Sequence, residues 1–318
     1  MALPSVDAAL KQWASRHELP PQWAVACSGG ADSVALLRAA HGRWPGRVRA
    51  IHINHGLQAA AADFEAHVRA LTQDLQLPLE LVRVDARAAA GQSPEDAARQ
   101  ARYQALAAAA QRLGLNQIWL AQHQDDQLET VLLALSRGAG VAGLAAMPEA
   151  FERHGVCFAR PLLSCSGQAL RRELQAASWS HCEDPSNRDL AFTRNRLRHQ
   201  VVPTLQQAFP TLPAMAARSA QHMAQAQRLL DALARQDLDA VGRPPRIAAL
   251  QQLDADRQAN ALRHWLKTAH SAQPSSAQLS ELLRQVAACQ TRGHHIAIKL
   301  GAGQVRRDGA CLHYTPHL

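Results

Sequence analysis

Lysine is nearly missing from this chain of 318 residues: of 34 basic residues only Lys11, Lys267 and Lys299 are lysine, and the rest are arginine. None of the three follows a glycine, so a G-x-x-x-x-G-K-S/T phosphate loop is excluded. Aromatic residues make up only 4%, so the cores are expected to rest on Leu, Val, Ile and Ala. The cysteines, at 27, 157, 165, 182, 289 and 311, form no C-x-x-C pair, which argues against a zinc ribbon or an iron–sulfur site. No apolar run approaches the roughly 18 residues that a membrane helix requires, and the opening MALPSVDAALKQW has no apolar signal core. These absences point to a soluble protein of a reducing cytoplasm with no membrane partner.

The length favours two domains over one core. Hydrophobic residues at 47% and charged residues at 19% suit a globular chain. The formal net charge is +8, which favours a polyanionic partner. Genomic composition bias accounts for many of the arginines. Guanidinium groups nevertheless match phosphate by bidentate geometry.

The first half alternates strand and helix patterns. Strands are expected at 22–27, 47–53, 79–84 and 116–121, and helices at 32–40, around Phe64, Val68, Leu71 and Leu75, from Ser93-Pro94 to Gly114, and from about Asp126 to Gly138. Such alternation implies right-handed crossovers and a parallel sheet, whose ligands gather at the carboxyl ends of its strands. Past residue 160 the pattern becomes helical, with a linker at Gly242-Arg243-Pro244-Pro245 and short alternating strands closing the chain. The expected fold class is α/β: an N-terminal parallel-sheet domain over 1–215, then a helical linker and a small α+β C-terminal domain over 216–318.

Three polar motifs follow predicted strands: VACSGGADS (25–33), IHINHGL (51–57) and AQHQDDQ (121–127). All are expected on one rim. In the first, Gly29 and Gly30 lack Cβ and admit a ligand close to the backbone. The helix that follows opens with unpaired N–H groups, and the two together form an anion nest. Ser28 and Ser33 add hydroxyls. Asp32 would repel a phosphate unless it acts through a cation such as Mg²⁺; a tight turn with Asp32 or Ser33 as helix cap is the plainer alternative. Asp125 and Asp126 are ordinary first-turn acids, or one of them binds metal or serves as a general base. His52 is as readily structural as functional. Arg188, Arg194, Arg196 and Arg198 form either a solvated basic helix face or a set of phosphate contacts. Cys27 and Cys182 read as small fillers.

SGGADS resembles the signature of the PP-loop ATP pyrophosphatase superfamily, whose members cleave ATP between the α and β phosphates and adenylate a carbonyl-type oxygen. Together with EDAARQARY (95–103), LAQHQDDQLETVLLALSRGAGVAGLAAM (120–147), ARPLL (159–163) and EDPSNRDLAFTRNRLRHQVVP (183–203), it is similar to the tRNA(Ile)-lysidine synthetase family. The DPSN…TRNRLR stretch is the most specific part. The resemblance implies an adenine nucleotide alpha hydrolase-like domain and ATP-dependent ligation of free L-lysine to the wobble cytidine of a CAU-anticodon tRNA(Ile). It implies ATP binding by Ser28, Gly29, Gly30, Ala31, Asp32, Ser33, His52, Asn54 and His123, with Mg²⁺ held by Asp32. Catalysis falls to Asp126, Asp32 and Arg194, with Asn195 beside Arg194, and tRNA contact to Arg188, Arg196 and Arg198. Many members carry two consecutive histidines where this chain has Gln122-His123. A homodimer is compatible with these features. A tRNA-thiolating relative and a non-catalytic RNA-binding protein remain the alternatives; the first would need cysteine pairs.

Overall fold

The structure, a computed structural model, describes residues 5–54, 61–84, 94–291 and 293–316. Ser93 and the end of IHINHGL from His55 onward lie outside the described residues. The chain divides into two compact units, residues 1–224 and 225–318.

The first unit is built on a six-stranded sheet: β1 (Trp23–Ala26), β2 (Val48–Asn54), β3 (Leu79–Arg83), β4 (Gln117–Trp119), β5 (Ala150–Arg153) and β6 (Val156–Ala159). The spatial order is β3-β2-β1-β4-β6-β5. Every neighbouring pair is parallel except β5 with β6 at the edge. Around the sheet run α1 (Val6–Arg16), α2 (Ala31–Arg43), α3 (Ala61–Asp74), α4 (Pro94–Arg112), α5 (Gln124–Ser136), α6 (Val141–Leu144) and α7 (Gly167–Ala176). Period-two alternation in β1 divides its side chains between two cores. Trp23 and Val25 join α1, α2, α3 and α7 on one face, while Ala24 joins Tyr103, Leu106 and Phe158 on the other.

The order of the strands positions the site. From β1 the chain winds outward through β2 to β3, then returns to place β4 on the other side of β1. The reversal leaves a crevice at the carboxyl ends of β1 and β4, where such sheets bind ligands. The SGGADS loop leaves β1 and the QHQDD segment leaves β4 at that crevice.

Two features differ from the sequence expectation. The sheet is mixed: 150–159 forms a hairpin, because His154 and Gly155 both take positive φ (51° and 72°) and make a two-residue turn whose twist suits paired strands. An additional helix, α1, starts at Ser5, whose hydroxyl accepts from the Ala8 amide. The cores rest mainly on Leu, Val, Ile and Ala, as expected, with a small tryptophan cluster among them: Trp13, Trp23 and Trp119 are fully buried, and Trp23 meets Trp119 and Trp44 at centroid distances of 4.7 and 5.4 Å.

Beyond the sheet come α8 (Thr193–Arg196), a π-turn (Leu197–Val201), α9 (Val202–Ala208) and α10 (Leu212–Val241), which runs on past residue 224. In the second unit α11 (Ile247–Leu250), α12 (Ala255–His270) and α13 (Ser276–Ala288) precede an antiparallel sheet of β7 (Ala297–Leu300), β8 (Gly303–Asp308) and β9 (Cys311–Pro316). Leu238, Leu262, Leu266, Leu282 and Leu312 share its core. The buried Asp237 is paired with Arg257. No helix among the described residues is long and apolar enough to cross a membrane.

Candidate active site

Gly29 has φ +90°, a conformation that side chains resist, and α3 presses on it: an added Cβ would lie 3.2 Å from Val68 and 3.3 Å from Phe64. Gly30 is the N-cap of α2 and supplies no capping side chain. The first amides of α2, at Ala31, Asp32 and Ser33, have no acceptor within the helix and face the crevice with the positive end of its dipole. Neither Asp32 nor Ser33 caps it, in contrast to the plain-turn alternative. Ser33 is buried and holds the loop's shape: its hydroxyl donates to the Gly30 carbonyl at 2.9 Å and accepts from the Ser28 amide at 3.1 Å. Ser28 is the exposed hydroxyl of the loop.

Across the crevice, His123 caps α5. Its Nδ1 accepts from the Asp125 amide at 3.2 Å, while the Asp126 carboxylate accepts from the His123 amide at 3.0 Å. In the neutral ring Nδ1 accepts and the proton is on Nε2, 3.5 Å from Asp32 and 3.7 Å from Asp126; charging the ring puts a second proton on Nδ1 and gives up the Asp125 cap. Burial opposes a charged ring. The Asp32 hydrogen bond and the charges of Asp126, Asp32 and Asp125 outweigh it and hold the His123 pKa well above the ordinary imidazole value. Burial likewise opposes an ionised Asp32. The hydrogen bond and charge of His123, with Arg198 and Arg171, bring its pKa below the usual carboxylate value. Gly167, at the start of α7, is required here because a Cβ there would meet the Asp125 carboxylate and the His123 ring at 2.5 and 2.9 Å. Gln122 accepts from the buried Arg160 at 3.1 Å, so it is tied to the scaffold and His123 alone faces the aspartates.

The DPSN…TRNRLR stretch reaches this crevice through a backbone contact: the Cys182 amide donates to the Gly29 carbonyl at 2.9 Å. Its arginines divide. Arg194 and Arg198, one helical turn apart, converge on Glu129. Arg194 Nε donates to one oxygen at 2.8 Å; Arg198 donates Nε to the other at 2.7 Å and Nη2 to the first at 3.0 Å. Arg198 also reaches Asp126 at 3.2 Å, so it lies within the crevice cluster. Arg188 and Arg196 point outward, near Glu183 and Thr193. Asn195 is buried and donates to the carbonyls of Ser186 and Asp189 at 2.8 and 2.9 Å, so it fastens the loop that carries the arginines.

His52 and Asn54 end β2, beside β1. His52 Nδ1–H donates to the Cys27 carbonyl at 2.8 Å, and its buried Nε2 has no partner among the described residues. Burial holds this ring below the ordinary imidazole pKa, so Nε2 is an acceptor. Asn54 donates to Glu65 at 2.9 Å, and Arg83, Asn54 and Arg69 together hold the Glu65 carboxyl down at about 2.

Sequence reasoning missed Glu129, Gly167 and Glu65. The first had a signal: Asp126 and Glu129 are three apart on one helix and share a face. Among the described residues no set of three His, Cys, Asp or Glu side chains forms a metal cage. An oxygen-donor pair such as Asp32 and Asp126 suits a cation that binds through one or two carboxylates and completes its shell with substrate phosphates. The crevice thus combines a polyphosphate nest with carboxylates and anchored guanidiniums, a mixture that also suits a zwitterionic amino acid.

Residues 4–205 match the PP-loop domain family, and residues 246–313 match the family described as TilS substrate binding domain. A protein of Polaromonas naphthalenivorans named tRNA(Ile)-lysidine synthase is 54% identical over 314 residues, 99% of this chain and 95% of the relative. One of the same name from Bordetella bronchiseptica is 42% identical over 286 residues, 86% of this chain and 83% of the relative. Among solved structures, the U34-tRNA thiolase NcsA from Methanococcus maripaludis superposes with a TM-score of 0.60 at 12% identity, over 69% of this chain and 78% of that one. That likeness concerns the fold.

Proposed function

The chain belongs to the tRNA(Ile)-lysidine synthase family, and on that premise we propose how its residues carry out ATP-dependent lysidine formation on tRNA(Ile). It is a ligase that uses ATP. The substrates we assign are ATP, free L-lysine and the wobble cytidine of a CAU anticodon. The observation that carries the assignment is the meeting, at one crevice, of the uncapped α2 N-terminus with the Asp32–His123–Asp126 cluster.

The uncapped amides of Ala31, Asp32 and Ser33, with the Ser28 hydroxyl, donate to the β and γ phosphates. His52 Nε2, Asn54 and His123 are the residues we assign to the rest of the nucleotide. The cytosine 2-oxo group attacks the α-phosphorus and pyrophosphate leaves into the nest, whose fixed donors stabilise the departing charge. The lysine ε-amine then bonds to carbon 2 of the adenylated base, and AMP departs. The attacking amine must be neutral, so a carboxylate takes its proton; Asp126 is the base and Arg194 and Arg198 steady the surrounding charge. Asp32 is suited to hold Mg²⁺ against the phosphates; that ion supplies neutralisation of developing negative charge. Arg188 and Arg196, exposed beside the crevice, are suited to the tRNA backbone.

A thiolating role is disfavoured by the thiols themselves. Burial pushes both Cys27 and Cys182 up, away from the reactive thiolate. All six cysteines are free, which supports a cytoplasmic setting. The test is incubation with ATP, labelled lysine and tRNA(Ile) transcript; ATP- and tRNA-dependent transfer of label into RNA is expected, and tRNA binding without transfer refutes the assignment. Asp126→Asn is expected to abolish transfer while ATP binding persists; unchanged turnover removes Asp126 as the base.

A further inference from the structure

The second unit contains a cavity of about 550 Å³ that the reaction described above does not use. It is lined by Arg235 and Leu238 of α10, Arg243 and Pro244, the end of α12 from His264 to His270, and His313 and Tyr314 of β9. Its size falls within the range of small-ligand sites.

The interior is aromatic. The His270 ring stacks on Tyr314 at 4.9 Å and 29°, and meets the buried Trp265 edge-on at 5.0 Å and 88°. The stack is preformed by two local features. The Tyr314 hydroxyl donates to the Leu300 carbonyl at 3.1 Å, and Gly303 opposite leaves room for the ring, since a Cβ at that position would overlap it. One cation on the rim is left uncompensated. Arg243 pairs with Asp239 at 2.9 Å and His264 with Asp231 at 3.3 Å. Arg235 is exposed, and its guanidinium has no acidic partner among the described residues. A flat aromatic wall beside an uncompensated guanidinium matches one chemistry well: a nucleobase that stacks, attached to a phosphate that pairs.

We infer that this cavity is a nucleotide subsite that takes one unpaired nucleotide of the tRNA, its base extending the His270–Tyr314 stack and its phosphate meeting Arg235. A base inside a duplex has no free face to offer, so the nucleotide is single-stranded. The inference rests on tRNA being the substrate, as proposed above. It assigns to this unit a base contact beyond general charge attraction.

The test compares wild-type protein with Arg235→Glu, His270→Ala and Tyr314→Phe in filter binding of tRNA(Ile) across a salt series. Loss of the stacking ring in His270→Ala is expected to weaken tRNA binding about ten-fold. Arg235→Glu is expected to weaken it and to lower the salt slope by about one. Tyr314→Phe keeps the ring but loses the Leu300 bond, and is expected to weaken binding less than His270→Ala. Unchanged affinity in both His270→Ala and Arg235→Glu overturns the inference. Free AMP and CMP, titrated while the histidine ring resonances are followed, distinguish the source of the nucleotide. Saturation by a mononucleotide that leaves tRNA binding intact overturns the tRNA subsite in favour of a free-nucleotide site. Lysine transfer is measured on the same preparations. A wild type that binds tRNA through the cavity yet transfers no lysine refutes the proposed function and spares the subsite.

Discussion

Replacing Glu129 by Gln removes a single charge and should loosen the whole crevice. The carboxylate is 2% exposed and accepts three short hydrogen bonds, one from Arg194 and two from Arg198. An amide in its place keeps one acceptor and turns a donor toward a guanidinium. Removing one partner of a fully buried ion pair costs about 3–5 kcal/mol. Here Arg194 and Arg198 are 32% and 39% exposed, so water recovers part of the loss, and about 2–3 kcal/mol is expected. For a domain of this size each kcal/mol lowers the melting temperature by roughly 2–4 °C, so a fall of roughly 4–12 °C should follow. Urea unfolding gives the free energy and scanning calorimetry the temperature. Lysine transfer should fall more than ATP binding, because the freed Arg198 also leaves Asp126. Combining Glu129→Gln with Arg198→Met should cost less than the sum of the two singles, since the charges are then removed together. A Glu129→Gln protein as stable as wild type, with strictly additive double-mutant energies, would refute this account of the cluster.

Gly29→Ala places a Cβ at φ +90° against α3 and is expected to cost about 1–3 kcal/mol, with ATP–pyrophosphate exchange impaired and tRNA binding retained; normal exchange would contradict the nest. The His123 pKa is raised from 6.5 to about 9, so the charged ring contributes stability that is fully present below pH 6.5 and lost as pH rises through about 9. The advantage of wild type over His123→Gln in urea midpoint should therefore shrink across that window, and a constant difference would exclude the charged ring as its source.

Much of the crevice was legible from local pattern. The two glycines between an apolar strand and an apolar helix announce a loop that needs no Cβ, and Gly29 takes the positive φ that only glycine tolerates well. The arginines were harder to read: Arg198, expected on the tRNA backbone with Arg196, lies four residues from Arg194 and turns inward with it onto Glu129. The hairpin at 150–159 was less legible. Its His-Gly turn is a weak signal beside Asn-Gly or Asp-Gly, and its strands are only four residues each. Asn195 could not be distinguished from its neighbours because its partners are backbone carbonyls of a loop, which no side-chain pattern reports.

Most strand and helix positions of the first unit, the glycine loop, a helix beginning near Asp126 and the Asp-Gly turn between β8 and β9 follow from the sequence by itself, because periodicity and turn chemistry act over a few residues; the His123 cap, α1 and the 150–159 hairpin do not. Which motifs meet was decided by the tertiary structure. SGGADS and QHQDD become neighbours only because β4 pairs with β1 on the side opposite β2. Glu129 finds Arg194 across 65 positions of sequence only because residue 182 is tied to Gly29 and leads the arginine segment back over α5. Long-range pairs of this kind depend on the order in which strands are laid into a sheet, and that order is set by the packing of both faces rather than by any one segment.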